Sequence, residues 1–167
     1  SRRQRQMCIR DRINYNKVVN QRNKLLKELS FKSSEEKLET LDIWDLQLVK
    51  YGTEVMKRRV GFVQELNEII GGLHEKLSGG TEKLTIEYQP CVEETTFLDT
   101  VTKMRERDLR MKSTCFGPHK DDLIFFINGS EVKKYGSQGQ QRTAALSLKL
   151  AEIELVKKVV KDLSLIH

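Results

Sequence analysis

The chain has 167 residues, 38% of them apolar, and carries 30 Lys+Arg against 24 Asp+Glu, a formal charge of +6. That length fits one domain or two partial ones. No run approaches the roughly 20 apolar residues of a membrane span, and no apolar segment follows the basic N-terminus as in a secretory signal. Cys8, Cys91 and Cys115 are dispersed and odd in number, a pattern of reduced thiols in a cytoplasmic protein that argues against a disulfide framework or a zinc site.

The charge is unevenly placed. Residues 1–12 hold five arginines against Asp11, net +4, so the rest of the chain carries only +2. The net charge therefore does not by itself mark a nucleic-acid-binding domain.

In chain order, residues 13–30 read as a polar helix whose apolar face is the incomplete set Val18, Val19, Leu25, Leu26 and Leu29. A second, long helix is predicted to open at a Ser33–Glu36 capping box. Along it Leu41, Trp44, Leu48, Tyr51, Val55, Phe62, Leu66, Ile69 and Leu73 recur at spacings of three and four. That is one narrow apolar stripe of about five heptads, which demands a partner helix in cis or in trans. Residues 83–89 alternate polar and apolar as a strand closed by Pro90, and residues 96–112 read as a helix. Leu123–Ile127 and Glu131–Tyr135 read as a hairpin about Asn128-Gly129, a pair suited to a type I′ turn. Residues 139–162 form an apolar helix predicted to be buried against a sheet. The fold class is α+β and rich in helix. Residues 1–12 and 163–167 do not continue the patterns beside them and receive no functional role.

Three stretches could carry chemistry. In Tyr135-Gly-Ser-Gln-Gly-Gln-Gln-Arg142, two glycines allow close backbone approach and Ser137 offers a hydroxyl at a helix start, which together suit a phosphate. The same residues also make an ordinary glycine turn with Ser137 capping a core helix, and on local chemistry alone that is the commoner case. In Gly117-Pro-His-Lys-Asp-Asp122, His119 reads either as a metal or acid–base group beside two carboxylates or, more commonly, as a local hydrogen-bond anchor. The basic cluster Lys103, Arg105, Arg107, Arg110 and Lys112, interrupted by Glu106 and Asp108, reads as a solvated helix face, with DNA phosphate contact as the sharper alternative. His74 is expected to be a solvated helix residue. No GxxxxGK[ST] loop, no acid pair fit for Mg²⁺ and no supported nucleophile–histidine set is present, so no catalytic or metal-ligating residue is assigned.

Four stretches, Gln21–Leu29, Asp42–Gly52, Gly117–Asp122 and Tyr135–Leu155, in this order and spacing across residues 13–162, resemble the RecF family of DNA replication and repair ATPases, relatives of SMC proteins and ABC ATPases. The resemblance implies an ABC-type head split in sequence by a helical, coiled-coil-like arm. Residues 13–112 would be the arm with a short strand, and 113–162 part of a head lobe. The family's Walker A and Walker B elements would lie outside these residues, so that this chain alone would bind neither ATP nor Mg²⁺ and would be inactive, whereas the parent would use both. Residues 135–142 would be the signature motif, with Ser137, Gln138, Gly139 and Gln140 completing an ATP site in trans. His119, Lys120, Asp122 and Arg142 would serve structure or a head interface, and Arg105, Arg107 and Arg110 are candidate DNA contacts. Lys120 stands where the family commonly has Arg. The implied partners are single- and double-stranded or gapped DNA, a second copy in an ATP-dependent homodimer, and RecR and RecO in the RecA pathway, with no membrane. The alternative is a non-enzymatic interaction module that docks a partner helix on the Leu41–Leu73 stripe.

Overall fold

The computed structural model describes residues 2–165, with side chains from Arg10 to Lys161 apart from Val159. In order the elements are α1 (Arg2–Phe31), α2 (Glu35–Leu77), β1 (Leu84–Gln89), α3 (Phe97–Lys103), α4 (Arg105–Met111), β2 (Asp122–Ile127), β3 (Ser130–Glu131), α5 (Val132–Tyr135) and α6 (Gln138–Leu165). The chain divides into two compact units, each discontinuous in sequence: Arg3–Arg58 with Pro90–Asp121, and Arg59–Gln89 with the chain from Asp122 onward. The sequence reading of Cys8 and of residues 163–167 falls outside the described side chains. The side chain of Asp11, in the arginine-rich end, accepts a 2.7 Å bond from Arg58 Nε.

In the first unit, α1, the leading part of α2 and α3 bury Tyr15, Val18, Val19, Leu48, Val55, Phe97 and Val101 in one cluster, with Leu25, Leu26, Leu29 and Leu41 in a second. Each fully buried side chain of this kind contributes about 1.5–3 kcal/mol. The helix expected over 96–112 breaks at Met104, whose φ of −97° and ψ of 15° end α3. Beyond the break, α4 carries Arg105 and Asp108, both ion-paired with distant segments. The cap of α2 also differs from expectation. Lys37 N–H donates to Ser34 Oγ at 3.2 Å, so the cap is Ser34 and not Ser33. Glu35 and Glu36 lie in the first turn against the positive end of the helix.

The second unit builds an antiparallel sheet in the order β1-β2-β3. Leu84 faces Ile127, Ile86 faces Phe125 and Tyr88 faces Leu123, which sends one side of each strand into a core with Val63, Leu66 and Ile70 of α2 and Ala144, Ala151 and Leu155 of α6. The strand that sequence order places beside the arm thus pairs along its whole length with β2. Its outer edge is braced by Asn67, whose amide donates to Ile86 O at 2.7 Å and accepts from Ile86 N at 2.8 Å. Asn128 and Gly129 both have positive φ, 51° and 85°, as a type I′ turn requires. The expected second strand is only Ser130–Glu131; residues 132–135 coil instead into α5, because Val132 is buried while Lys133, Lys134 and Tyr135 are exposed, leaving no alternating face to bury.

Two further expectations change. Helix α6 is covered on one side only: Leu146, Ile153, Val156 and Val160 remain exposed, since a sheet this small covers one face. The α2 stripe is occupied within the chain. Leu41, Leu48, Val55 and Leu66 are buried, and Trp44, Tyr51, Ile69 and Leu73 pack against the same clusters. Phe62 alone of the stripe is exposed, so most of the surface that the interaction-module alternative needs is already covered within the chain.

Candidate functional site

The loop between α5 and α6 closes on itself. Ser137 Oγ accepts from Gln140 N–H at 3.1 Å while Gln140 Oε1 accepts from Ser137 N–H at 2.9 Å, a reciprocal capping box. Gln141 N–H then donates to Ser137 O at 3.0 Å. Gln138 and Gly139 lie between these bonds, exposed and at the first two positions of a 28-residue helix, and their N–H groups have no acceptor. The Ser137 hydroxyl proton is also left over, because its oxygen serves as acceptor. Three donors thus point outward at the positive end of a helix dipole.

The two glycines of this loop have different reasons to be glycine. At Gly136 a Cβ would come within 2.6 Å of Val132 O, so the chain itself requires it. At Gly139 a Cβ would meet only Ser137 Oγ, at 3.8 Å, and the backbone does not need positive φ. Nothing in this fold calls for glycine there, although glycine costs a helix up to about 1 kcal/mol relative to alanine. The chain around the loop is basic, with Lys134 ion-paired to Glu131 at 3.6 Å. From Val132 to Ala151 the sequence has Lys133, Lys134, Arg142 and Lys149 and no acidic residue. Arg142 is exposed just beyond the first turn. A 210 Å³ cavity lined by Ser130, Tyr135, Gly136 and Gln140 adjoins the loop, and a larger groove of 460 Å³ runs between β2, α5 and α6; Ser137, Gln138 and Gly139 line neither.

His119 has the anchoring role. Its Nε2 donates to Thr114 O at 2.7 Å, which leaves Nδ1 to accept from the Tyr15 hydroxyl at 2.6 Å. Burial lowers its pKa, so the ring is held neutral, with Thr114 O opposing the shift and Lys120 adding to it. Asp121 accepts from Cys91 N–H at 2.8 Å, Asp122 accepts from Leu123 N–H at 2.9 Å at the start of β2, and Lys120 is exposed. The two carboxylates thus serve different elements. Burial raises the thiol pKa values of Cys91 and Cys115. Among the described residues no group of three or more His, Cys, Asp or Glu could hold a metal ion.

The basic cluster of 103–112 separates by partner. Arg105 is ion-paired with Asp42 and, at 2.6 Å, with Asp45. Arg107 lies 5.7 Å over the Phe116 ring and Lys112 lies 5.4 Å over Phe31, with Arg110 exposed. The residue that organises this region is Arg22, outside the three stretches that could carry chemistry. It is fully buried, and its guanidinium donates to Asp45 at 2.8 Å, Asp108 at 2.7 Å and Thr114 Oγ1 at 3.0 Å. Its signal was an arginine on the buried face of α1, four residues after Val18 and four before Leu26.

His74 is likewise not the solvated residue expected. It is fully buried, with Nδ1 2.8 Å from Ser147 Oγ and Nε2 3.3 Å from Glu82. The trio has the composition of a nucleophile–base–acid set, but Ser147 is itself fully buried and gives its proton to Thr143 O at 2.9 Å. It has neither access nor a free proton for nucleophilic work. Among the described residues no helix is long and apolar enough to cross a membrane.

No protein-family model matches the chain. The DNA replication and repair protein RecF of Lachnospira eligens is 57% identical over 150 residues, 90% of this chain and 41% of that protein. The RecF of Lachnoclostridium phytofermentans is also 57% identical over 150 residues, and that of Agathobacter rectalis is 50% identical over 148, covering 40% of its length. Two solved structures of the recombination mediator protein RecF in the RecFOR pathway, RecF-ATPrS and RecF-ATP, align at TM-scores of 0.79 and 0.78 with 34% identity. They cover 92% and 91% of this chain and 43% and 42% of their own. The chain spans about two fifths of the length of the curated relatives it matches. With more than half its residues identical to such relatives over nine tenths of its length, and with a shared fold, the chain belongs to the RecF family.

Proposed function

We propose that this chain is an internal segment of a DNA repair and replication ATPase, comprising its helical arm and part of a head lobe, and that the Ser137–Gln140 loop completes an ATP site in trans. The observation that carries this reading is the pair of unengaged N–H groups at Gln138 and Gly139 beside the Ser137 hydroxyl, with a glycine at 139 that the fold does not require. Oriented N–H donors at a helix start, on a stretch of chain without acidic residues, fit the oxygens of a terminal phosphate. A relative in the RecF-ATP state makes ATP the natural source of that phosphate.

The loop's part is electrostatic. The donors are preset by the capping box, so they meet developing negative charge without reorganising. Neither they nor their neighbours include a carboxylate or free imidazole to act as base or to hold Mg²⁺, so the loop adds one wall to a nucleotide seated on another protomer. ATP then joins two copies, and the closed dimer holds DNA, single-stranded, duplex or gapped, in a pathway with RecR and RecO. Arg107 and Arg110 are the DNA contacts favoured by the geometry, since Arg105 is already engaged by Asp42 and Asp45. Gly139→Ala tests the reading. It is expected to raise the melting temperature of this chain and to weaken ATP-dependent dimerisation of a full-length family member. Unchanged dimerisation would refute it.

A further inference from the structure

Ala144, Ala151 and Leu155 of α6 share one apolar cluster with Val63, Leu66 and Ile70 of α2 and with the sheet. Apolar burial holds helices together but is non-directional, and by itself it does not select one rotation or axial register. Set into this interface is a directional bond, His74 to Ser147, with both residues fully buried. The proton positions follow from the partners. Ser147 Oγ–H donates to Thr143 O at 2.9 Å, so toward His74 it is an acceptor and Nδ1 is the donor. Glu82, in the loop after α2, lies 3.3 Å from Nε2 on the other side of the ring. Ser147 is ten residues after Ser137, about 15 Å along the same helix.

We propose that His74 is a positioning residue. Through Ser147 it sets the rotation of α6, and so the direction in which Ser137 and the N–H groups of Gln138 and Gly139 face. The role rests on the phosphate reading of that loop. Helices of one buried unit behave as stiff rods between their ends, so a rotation permitted at Ser147 reappears at the helix start. The arm helix α2 therefore has a hydrogen-bonded hold on the element that presents the donors.

The test uses a full-length family member carrying changes at the matching positions. Ser147→Ala alone leaves a buried Nδ1–H without an acceptor and can cost the fold. The double change His74→Leu with Ser147→Ala removes both partners, leaving Glu82 in reach of solvent, and keeps the protein folded by thermal melting. For the double variant, ATP binding per protomer should stay at the parent's level while ATP-dependent dimerisation weakens on the order of tenfold, the size of a typical coupling between sites. In this chain the same variant should move the amide NMR resonances of Gln138–Gln140 with the melting temperature little changed. Ser137→Arg is the parallel control. Unchanged dimerisation in the double variant, with dimerisation abolished by Ser137→Arg, overturns the positioning role alone. Unchanged dimerisation in both overturns the phosphate reading and the positioning role with it.

Discussion

The Tyr15 hydroxyl donates to His119 Nδ1 at 2.6 Å across 104 residues of sequence, tying α1 to the Gly117-Pro118 turn. The turn is shaped for this bond. Gly117 has φ of 142°, and a Cβ there would sit 2.2 Å from the Tyr15 hydroxyl oxygen. Gly117→Ala should therefore destabilise the first unit by about 2 kcal/mol or more through strain and overlap, read as a lowered midpoint in urea with an unchanged slope.

The same contact predicts a pH dependence. His119 is held neutral below its ordinary value, chiefly by burial. The unfolded chain takes up a proton near pH 6.5 that the native chain refuses. Stability contributed by this histidine is thus fully present above about pH 6.5 and is lost as pH falls below that value toward the lowered native pKa. Melting temperature should drop between pH 7 and 5, and His119→Gln should reduce the size of that drop. An equal drop in the variant would show that other groups are responsible.

Arg22 should be the most sensitive charged position. Removing it takes from buried Asp108 the cation it pairs with and leaves buried Asp45 with Arg105 alone. Arg22→Ala is expected to cost about 3–5 kcal/mol, and Arg22→Lys should fail to restore most of this because one ammonium cannot span the donors to Asp45, Asp108 and Thr114. Chemical denaturation of each variant checks both statements.

The two loop glycines should respond in opposite directions. Gly136→Ala forces a Cβ against Val132 O and should destabilise by about 1–3 kcal/mol. Gly139→Ala has no such obstacle and should stabilise the helix by up to about 1 kcal/mol. Calorimetric melting of the pair shows whether the difference holds.

Much of this architecture was legible in the residues. The period of three and four from Leu41 to Leu73 marked α2, the alternation of 83–89 marked β1, and Asn128-Gly129 marked the turn with both positive φ values. The site loop was legible as a cap and as an anion site at once, since Ser137 and Gln140 at this spacing serve both. What stayed hidden were contacts between distant segments. Arg22 sits among valines and leucines on α1, and no local pattern says that Asp45 and Asp108 come to meet it. His74 looked solvated because its neighbours Glu75 and Lys76 are exposed; only the arrival of α6 buries it. The break at Met104 has no proline or glycine to announce it. Just beyond it, Arg105 and Asp108 make ion pairs that exist only in the folded chain.

The central claim is tested most directly by sedimentation velocity of a full-length family member carrying Ser137→Arg, with and without ATP. The account predicts that the variant still binds ATP as a monomer but no longer dimerises in its presence, because the arginine side chain fills the space where the phosphate meets the helix start. A variant that forms the ATP-dependent dimer as readily as the parent would contradict it.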